Sequence, residues 1–296
     1  MSQIPEKDPI SGTPTTGHEW DGIKELNTPL PRWWLWTFYA CILFAIGYCI
    51  AYPSFPLPWG GHTKGTLDYT NRKGIEQELK NAAVSARPQF AKIAQSDLPT
   101  IVADPSLKSF AVAGGRSAFL QNCAPCHGAS AQGAKGFPNL LDDVWLWGGT
   151  LDQIYQTVQF GVRNANENSH QGVTMPAWGD AAKNPPQVLT ADQIDSVVNY
   201  VLSLNHQSAD AAKAAAGATI FAENCVACHG EKAEGNQDMG APPLASGVWL
   251  YGGDKATLVE TVTHGRGGQM PAWSERLDPA TVKMLAIYVH QLGGGK

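Results

Sequence analysis

Two pentapeptides, Cys123-Ala-Pro-Cys126-His127 and Cys225-Val-Ala-Cys228-His229, constrain this chain more than any other feature. Two thiols two residues apart share one helical turn. Both sulfurs then reach the vinyl groups of one porphyrin, and the adjacent imidazole comes under the iron as proximal ligand. The competing readings are a zinc half-site, a disulfide and a thioredoxin-like redox pair. A zinc finger needs further Cys or His at short spacing, which neither copy offers. The motif and its recurrence point to two covalently bound haem c groups.

The two motifs sit in matching frames, and the match extends well beyond them. Gly115, Phe119 and Asn122 precede Cys123 at the same offsets as Gly217, Phe221 and Asn224 precede Cys225. Val144-Trp-Leu-Trp-Gly-Gly149 answers Val248-Trp-Leu-Tyr-Gly-Gly253, and Thr157-Val-Gln-Phe-Gly161 answers Thr261-Val-Thr-His-Gly265. Then come Met175-Pro-Ala-Trp178 and Met270-Pro-Ala-Trp273. Each half closes with an amphipathic helix, Thr190 to Leu204 and Pro279 to Leu292, with Tyr200 and Tyr288 at equal positions. The first half has a longer polar loop before its methionine, containing His170. These are duplicated domains, read as 111–207 and 208–296. A domain of about 90 residues has a limited core of its own, and a porphyrin supplies missing apolar surface.

The chain has 296 residues and a net charge of −5, with acidic and basic residues interspersed, so nucleic acid binding has no electrostatic support. Its six cysteines are not a disulfide framework. Four belong to the motifs, and Cys41 and Cys49 lie in an apolar run where packing is the simplest role. That run, Trp33 to Tyr52, carries no charge over 20 residues and as helix spans ~30 Å, the thickness of a hydrocarbon core. Trp33, Trp34, Trp36 and Tyr39 crowd one end, and Tyr52, Phe55 and Trp59 the other, as interfacial belts with Arg32 as anchor. Pro53, Pro56 and Pro58 stop the helix. A cleaved signal peptide fits poorly, because the preceding segment is long and acidic and no small-x-small site follows. The anchor is read as 31–55. Lys24 and Arg32 on one side balance Lys64 and Arg72 on the other, so charge does not orient it.

Residues 1–30 show no apolar period and read as a mostly irregular tail. Residues 56–110 form a connector, with helix formers from Asn71 to Val84, a break at Pro88, and a second short helix to Gln95. Asp104-Pro105 is a turn or helix-start signal. The fold class is thus all-α, one N-terminal transmembrane helix followed by two tandem class I cytochrome c domains.

His127 and His229 are the proximal ligands. Met175 and Met270 recur in identical Met-Pro-Ala-Trp frames, and a thioether is a soft sixth ligand that raises the reduction potential. Met239 lies too close behind His229 to cross its haem, and Met284 reads as helix packing. His170 and His264 are weaker distal candidates. Trp145, Trp147, Trp249 and Tyr251 are pocket aromatics or plain core. Arg163 and Arg266 are candidate partners of haem propionates. No catalytic residue set is evident. Two saturated irons argue for electron transfer rather than bond-making chemistry.

These residues resemble the membrane-anchored dihaem subunit (subunit III) of cbb3-type cytochrome c oxidases, over nearly the whole chain. The likeness includes the tail string Gly17-His-Glu-Trp-Asp-Gly-Ile-Lys-Glu-Leu-Asn-Thr-Pro-Leu-Pro-Arg-Trp-Trp34, the anchor, and Ala113-Gly-Gly-Arg-Ser-Ala118. The resemblance implies electrons taken from cytochrome bc1 or a small cytochrome c and passed to a mono-haem subunit and the haem–copper core. It implies a single-pass protein of the bacterial inner membrane, with a cytoplasmic tail and haem domains in the periplasm, where c-type attachment takes place. It also implies crossed ligation. Met270 would cap the haem of Cys123, Cys126 and His127, and Met175 that of Cys225, Cys228 and His229. Spacing alone leaves each methionine equally suited to its own half. The rival reading is a membrane-anchored dihaem cytochrome of a periplasmic dehydrogenase.

Overall fold

The computed structural model describes residues 6–184, 188–207 and 209–295. The chain divides into two compact units, residues 1–85 and 86–296.

The first unit opens not on irregular chain but on a β-hairpin, β1 (Thr15–Trp20) against β2 (Ile23–Leu26), antiparallel with Trp20 opposite Ile23. The turn is Asp21-Gly22, both with positive φ (47° and 82°), the dipeptide that suits the right-handed twist of a two-residue hairpin. Lys24 bridges to Glu6 at 2.7 Å and to Glu19 at 3.5 Å. Helix α1 (Arg32–Ala51) follows Pro31 as the apolar run dictates, with none of its residues buried. It is the one helix among the described residues long and apolar enough to cross a membrane. Beyond it the chain folds back, and the N–H groups of Thr66 and Leu67 donate to the Ile50 and Ala51 carbonyls, which the helix end would otherwise leave unpaired.

Helix α2 (Asn71–Gln95) runs straight through Pro88, where the sequence reads a break. Proline removes one donor from the ladder, but Val84 and Pro88 are both exposed, and at an exposed position a freed carbonyl can be served by solvent. The last turns of α2 already belong to the second unit. Ile93, with α3 (Leu98–Ala103) and α4 (Pro105–Asn122), joins a buried cluster completed by Ala280, Met284 and Ile287. Asp97 and Asp104 cap the two helices, accepting from Thr100 N–H and from Ser106 and Leu107 N–H. The connector therefore ends, in packing terms, well before residue 110.

The second unit then places α5 (Ala124–His127), α6 (Leu151–Phe160), α7 (Ala191–Leu204), α8 (Ala211–Asn224), α9 (Val226–His229), α10 (Lys255–His264) and α11 (Pro279–His290). Their pairing departs from a tandem of self-contained halves. Helix α4, which leads into the first motif, packs on α11, the last helix of the second half. Helix α8, which leads into the second motif, packs on α7, the last helix of the first half. One body comprises α3, α4, α5, α6 and α11, the other α7 to α10. The repeats follow one another along the sequence, but the packing units interleave.

The repeated residues make the same contact in both bodies. Phe119 meets Tyr288 with ring centroids 5.4 Å apart, and Phe221 meets Tyr200 at 5.2 Å, tilted by 57° and 55°. A Cβ on Gly115 would run into the Met284 carbonyl and Tyr288, and one on Gly217 into the Ser196 carbonyl and Tyr200. Two helices cross there at backbone distance. Asn199, 2% exposed, closes the α7–α8 turn by donating to Asp195 O and accepting from Asp210 N–H. Asp195 pairs with Lys213 and Lys255, and their hydrogen bonds hold its carboxyl below the usual range.

Gly115→Ala and Gly217→Ala should each cost about 2 kcal/mol, the overpacking of a tight crossing. Thermal unfolding followed by haem absorbance measures it. An unchanged midpoint for both would contradict the packing.

Candidate haem-binding sites

Each motif folds as one tight turn. His127 N–H donates to Cys123 O at 2.9 Å and Gly128 N–H to Ala124 O at 2.8 Å. His229 and Gly230 repeat this with Cys225 and Val226, both at 2.9 Å. Gly128 and Gly230 end the turns at φ of 80° and 79°, a left-handed exit that glycine makes without steric cost. Helices α4 and α8 deliver the motifs because Cys123 and Cys225 are their C-terminal caps.

The imidazoles are fixed for metal binding. His127 Nδ1 lies 3.0 Å from Pro138 O, and His229 Nδ1 lies 2.9 Å from Pro242 O. A carbonyl only accepts, so Nδ1 carries the proton and Nε2 keeps its lone pair. Such a partner is the usual support of a metal-bound histidine. Burial lowers the pKa of both, favouring the neutral ligand form, against a raising contribution from those carbonyls. The Cys123 and Cys225 thiols are pushed up to about 11 by burial, reinforced by Cys126 and Cys228. A reactive redox pair wants the reverse, a lowered thiol pKa. Paired thiols on one turn, beside an imidazole held by a carbonyl, suit covalent haem c, with His127 and His229 as axial donors.

The methionine segments lie across the two halves. Met270 exchanges backbone hydrogen bonds with Val162, both at 2.9 Å, and Met175 does so with Arg266, at 2.9 and 3.3 Å. Val162 and Arg266 each follow the matched glycines. Gly161 and Gly265, with φ of 71° and 73°, come so close to the Met270 and Met175 carbonyls that a Cβ on either would collide. Further along, Trp178 and Gly179 N–H donate to Val262 O and Thr263 O in α10, both at 3.0 Å. Ser274 Oγ donates to Gln159 O in α6 at 2.7 Å. Met175 packs in the cluster that contains Cys225, Val226 and buried Trp178. Trp273 packs in the one that contains Cys123 and Ala124.

The remaining candidates make the following contacts. His170 stacks on Trp147 (4.5 Å, 16°) with Nε2 3.0 Å from Thr157 Oγ1, while His264 is exposed at the end of α10. Met284 is 1% exposed in the helix core, as helix packing requires. Arg163 Nε donates to Gly268 O at 2.8 Å, with its guanidinium 5.7 Å above Trp147. Arg266 lies 4.6 Å above Tyr251 and pairs with Glu260 at 3.1 Å. Trp145 Nε1 donates to Gly294 O. Sequence reading missed the Pro138 and Pro242 carbonyls, whose only signal is a proline shortly after each motif. It also missed Asn164, which donates to Met270 O.

Gly161→Ala and Gly265→Ala should each destabilise the haem-loaded protein by about 2 kcal/mol, from left-handed strain and loss of the strand exchange. Unaltered thermal unfolding of both variants would contradict the close approach.

Comparison with known proteins agrees along the whole chain. Residues 12–58 match the N-terminal domain of cytochrome oxidase-cbb3, FixP, residues 112–205 match cytochrome c, and residues 212–289 match cytochrome c oxidase, cbb3-type, subunit III. The chain is 54% identical to the cbb3-type cytochrome c oxidase subunit CcoP of an Azospirillum species, covering 98% of each. It is 52% identical to the FixP subunit of Bradyrhizobium diazoefficiens and 46% identical to CcoP of Cereibacter sphaeroides, over the full length of each. With two cytochrome c modules, a membrane anchor and that identity from end to end, the chain belongs to the CcoP/FixP family of cbb3-type cytochrome c oxidase subunits and carries two covalently bound haem c groups.

Proposed function

We propose that this chain is the dihaem electron-transfer subunit of a cbb3-type terminal oxidase. It accepts electrons from cytochrome bc1 or a small cytochrome c, and it passes them to a mono-haem subunit and then to the haem–copper core. The observation that carries this reading is full-length identity to oxidase subunits at 46–54%, including the hairpin and anchor, which match an N-terminal oxidase domain. A dehydrogenase cytochrome is not favoured, since the N-terminal match is to an oxidase domain. Helix α1, long and apolar enough to cross a membrane, supports an anchored chain; the reading puts it in the bacterial inner membrane, with the tail cytoplasmic and the haem bodies periplasmic, where covalent attachment takes place.

Haem c supplies one-electron redox chemistry when bound. The chain's own residues set its terms. His127 and His229, held as neutral donors by the Pro138 and Pro242 carbonyls, would each hold one haem iron. Met270 would hold the first-motif haem from its other side and Met175 the second, a reading supported by the bonding of each methionine segment to the opposite half. Thioether ligation favours the reduced state and a higher potential. With a histidine and a methionine holding each haem, no position would be left for substrate. The chain conducts and does not itself catalyse.

Met270→Ala should turn the first-motif haem high-spin and leave the second low-spin, and Met175→Ala should do the reverse. Magnetic circular dichroism of the purified complex reads both. A change confined to the haem of the methionine's own half would refute crossed ligation. Co-purification from mild detergent with a copper- and b-haem-containing core, active in oxygen uptake, tests the oxidase role. Purification with a dehydrogenase instead would sink it.

A further inference from the structure

The two methionine segments are held unequally. The Met175 carbonyl accepts from Arg266 N–H at 3.3 Å, and among the described residues no side-chain donor to it is found. The Met270 carbonyl accepts twice, from Val162 N–H at 2.9 Å and from Asn164 Nδ2 at 2.7 Å. The same Asn164 amide donates to Phe160 O at 2.9 Å, which ties the last turn of α6 to the Met270 strand. Two residues earlier in that strand, Gly268 O accepts from Arg163 Nε at 2.8 Å. Arg163 adopts φ of 46°, a left-handed conformation that is costly for a side chain and is kept here between two residues bonded to Met270. Asn166 Nδ2 adds a bond to Glu275 Oε1 at 2.8 Å, beyond the methionine. All three side chains stand in the polar loop that lengthens the first half. Counting on from the matched glycines, the second half has Gly267 and Gly268 where the first has Arg163 and Asn164.

We infer that Asn164 is a positioning residue for the sixth ligand of the first-motif iron. By fixing the Met270 carbonyl from a second side, it restricts the strand that carries the thioether. Met270 therefore resists displacement by an external ligand better than Met175 does. The inference rests on the assignment of Met270 to the first-motif iron.

Imidazole titration of the intact ferric oxidase complex tests it, with each haem followed by its low-spin electron paramagnetic resonance signal. The signal lost in Met270→Ala identifies the first-motif haem, and that spectrum by itself tests the assignment, so the two failures are told apart. In the native complex, imidazole should displace Met175 at a lower concentration than Met270. Asn164→Ala should lower the half-saturating concentration at the first-motif haem by about tenfold, the loss of a donor to a partly buried carbonyl. Asn164→Asp, equal in size but unable to donate when ionised, should do the same. Both should leave the other haem unmoved, which also reports a folded protein. Asn168→Ala, an exposed change in the same loop, should move neither. Native imidazole affinity at the first-motif haem in both Asn164 variants would overturn the inference. So would an equal shift at both haems, the sign of general loosening.

Discussion

The arrangement of both haem sites depends on the pairing of α7 with α8. Residues 205–210 join them, and a link of that length returns the chain antiparallel to the helix it has just left. The closing helix of the first half therefore packs on the opening helix of the second. Its own opening helix, α4, is left with an apolar face, which α11 covers. Each closing helix takes its methionine segment with it, and the strand exchanges Val162–Met270 and Arg266–Met175 follow.

This exchange turns two small modules into one mechanical object. In each body the motif and the proximal histidine come from one half of the sequence, while the methionine strand and the closing helix come from the other. Neither site can open without disturbing contacts made by both halves. For a chain that conducts electrons this is useful, because buried helix contacts and backbone bonds, rather than a flexible linker, hold the two motifs relative to one another. The glycines at 115, 161, 217 and 265 mark close backbone approaches on which the arrangement relies.

Much of this was legible in the sequence because the signals are local. The motif turns, the anchor, the capped helices and the paired methionine frames each follow from spacing within a few residues. The interleaving was not, for a specific reason. Gly115, Phe119 and Tyr288 are the same residue types as Gly217, Phe221 and Tyr200, so exchanged and unexchanged pairings satisfy the same apolar pattern. The short α7–α8 link is the one feature that separates them. The hairpin was missed although Asp21-Gly22 between Trp20 and Ile23 announces it. Pro88 was given too much weight, since an exposed helix tolerates a lost bond. Asn164 could not be singled out, because its partner Met270 lies 106 residues away.

Producing the two halves as separate chains, 1–207 and 208–296, tests the interleaving most directly. If the account is right, 208–296 alone lacks the helix that covers α8 and will not give a stable low-spin haem protein. Produced together, the halves should associate, co-purify and show both haems six-coordinate. A soluble, monomeric 208–296 with its own histidine–methionine haem would show that the halves are self-contained, and the account would fail.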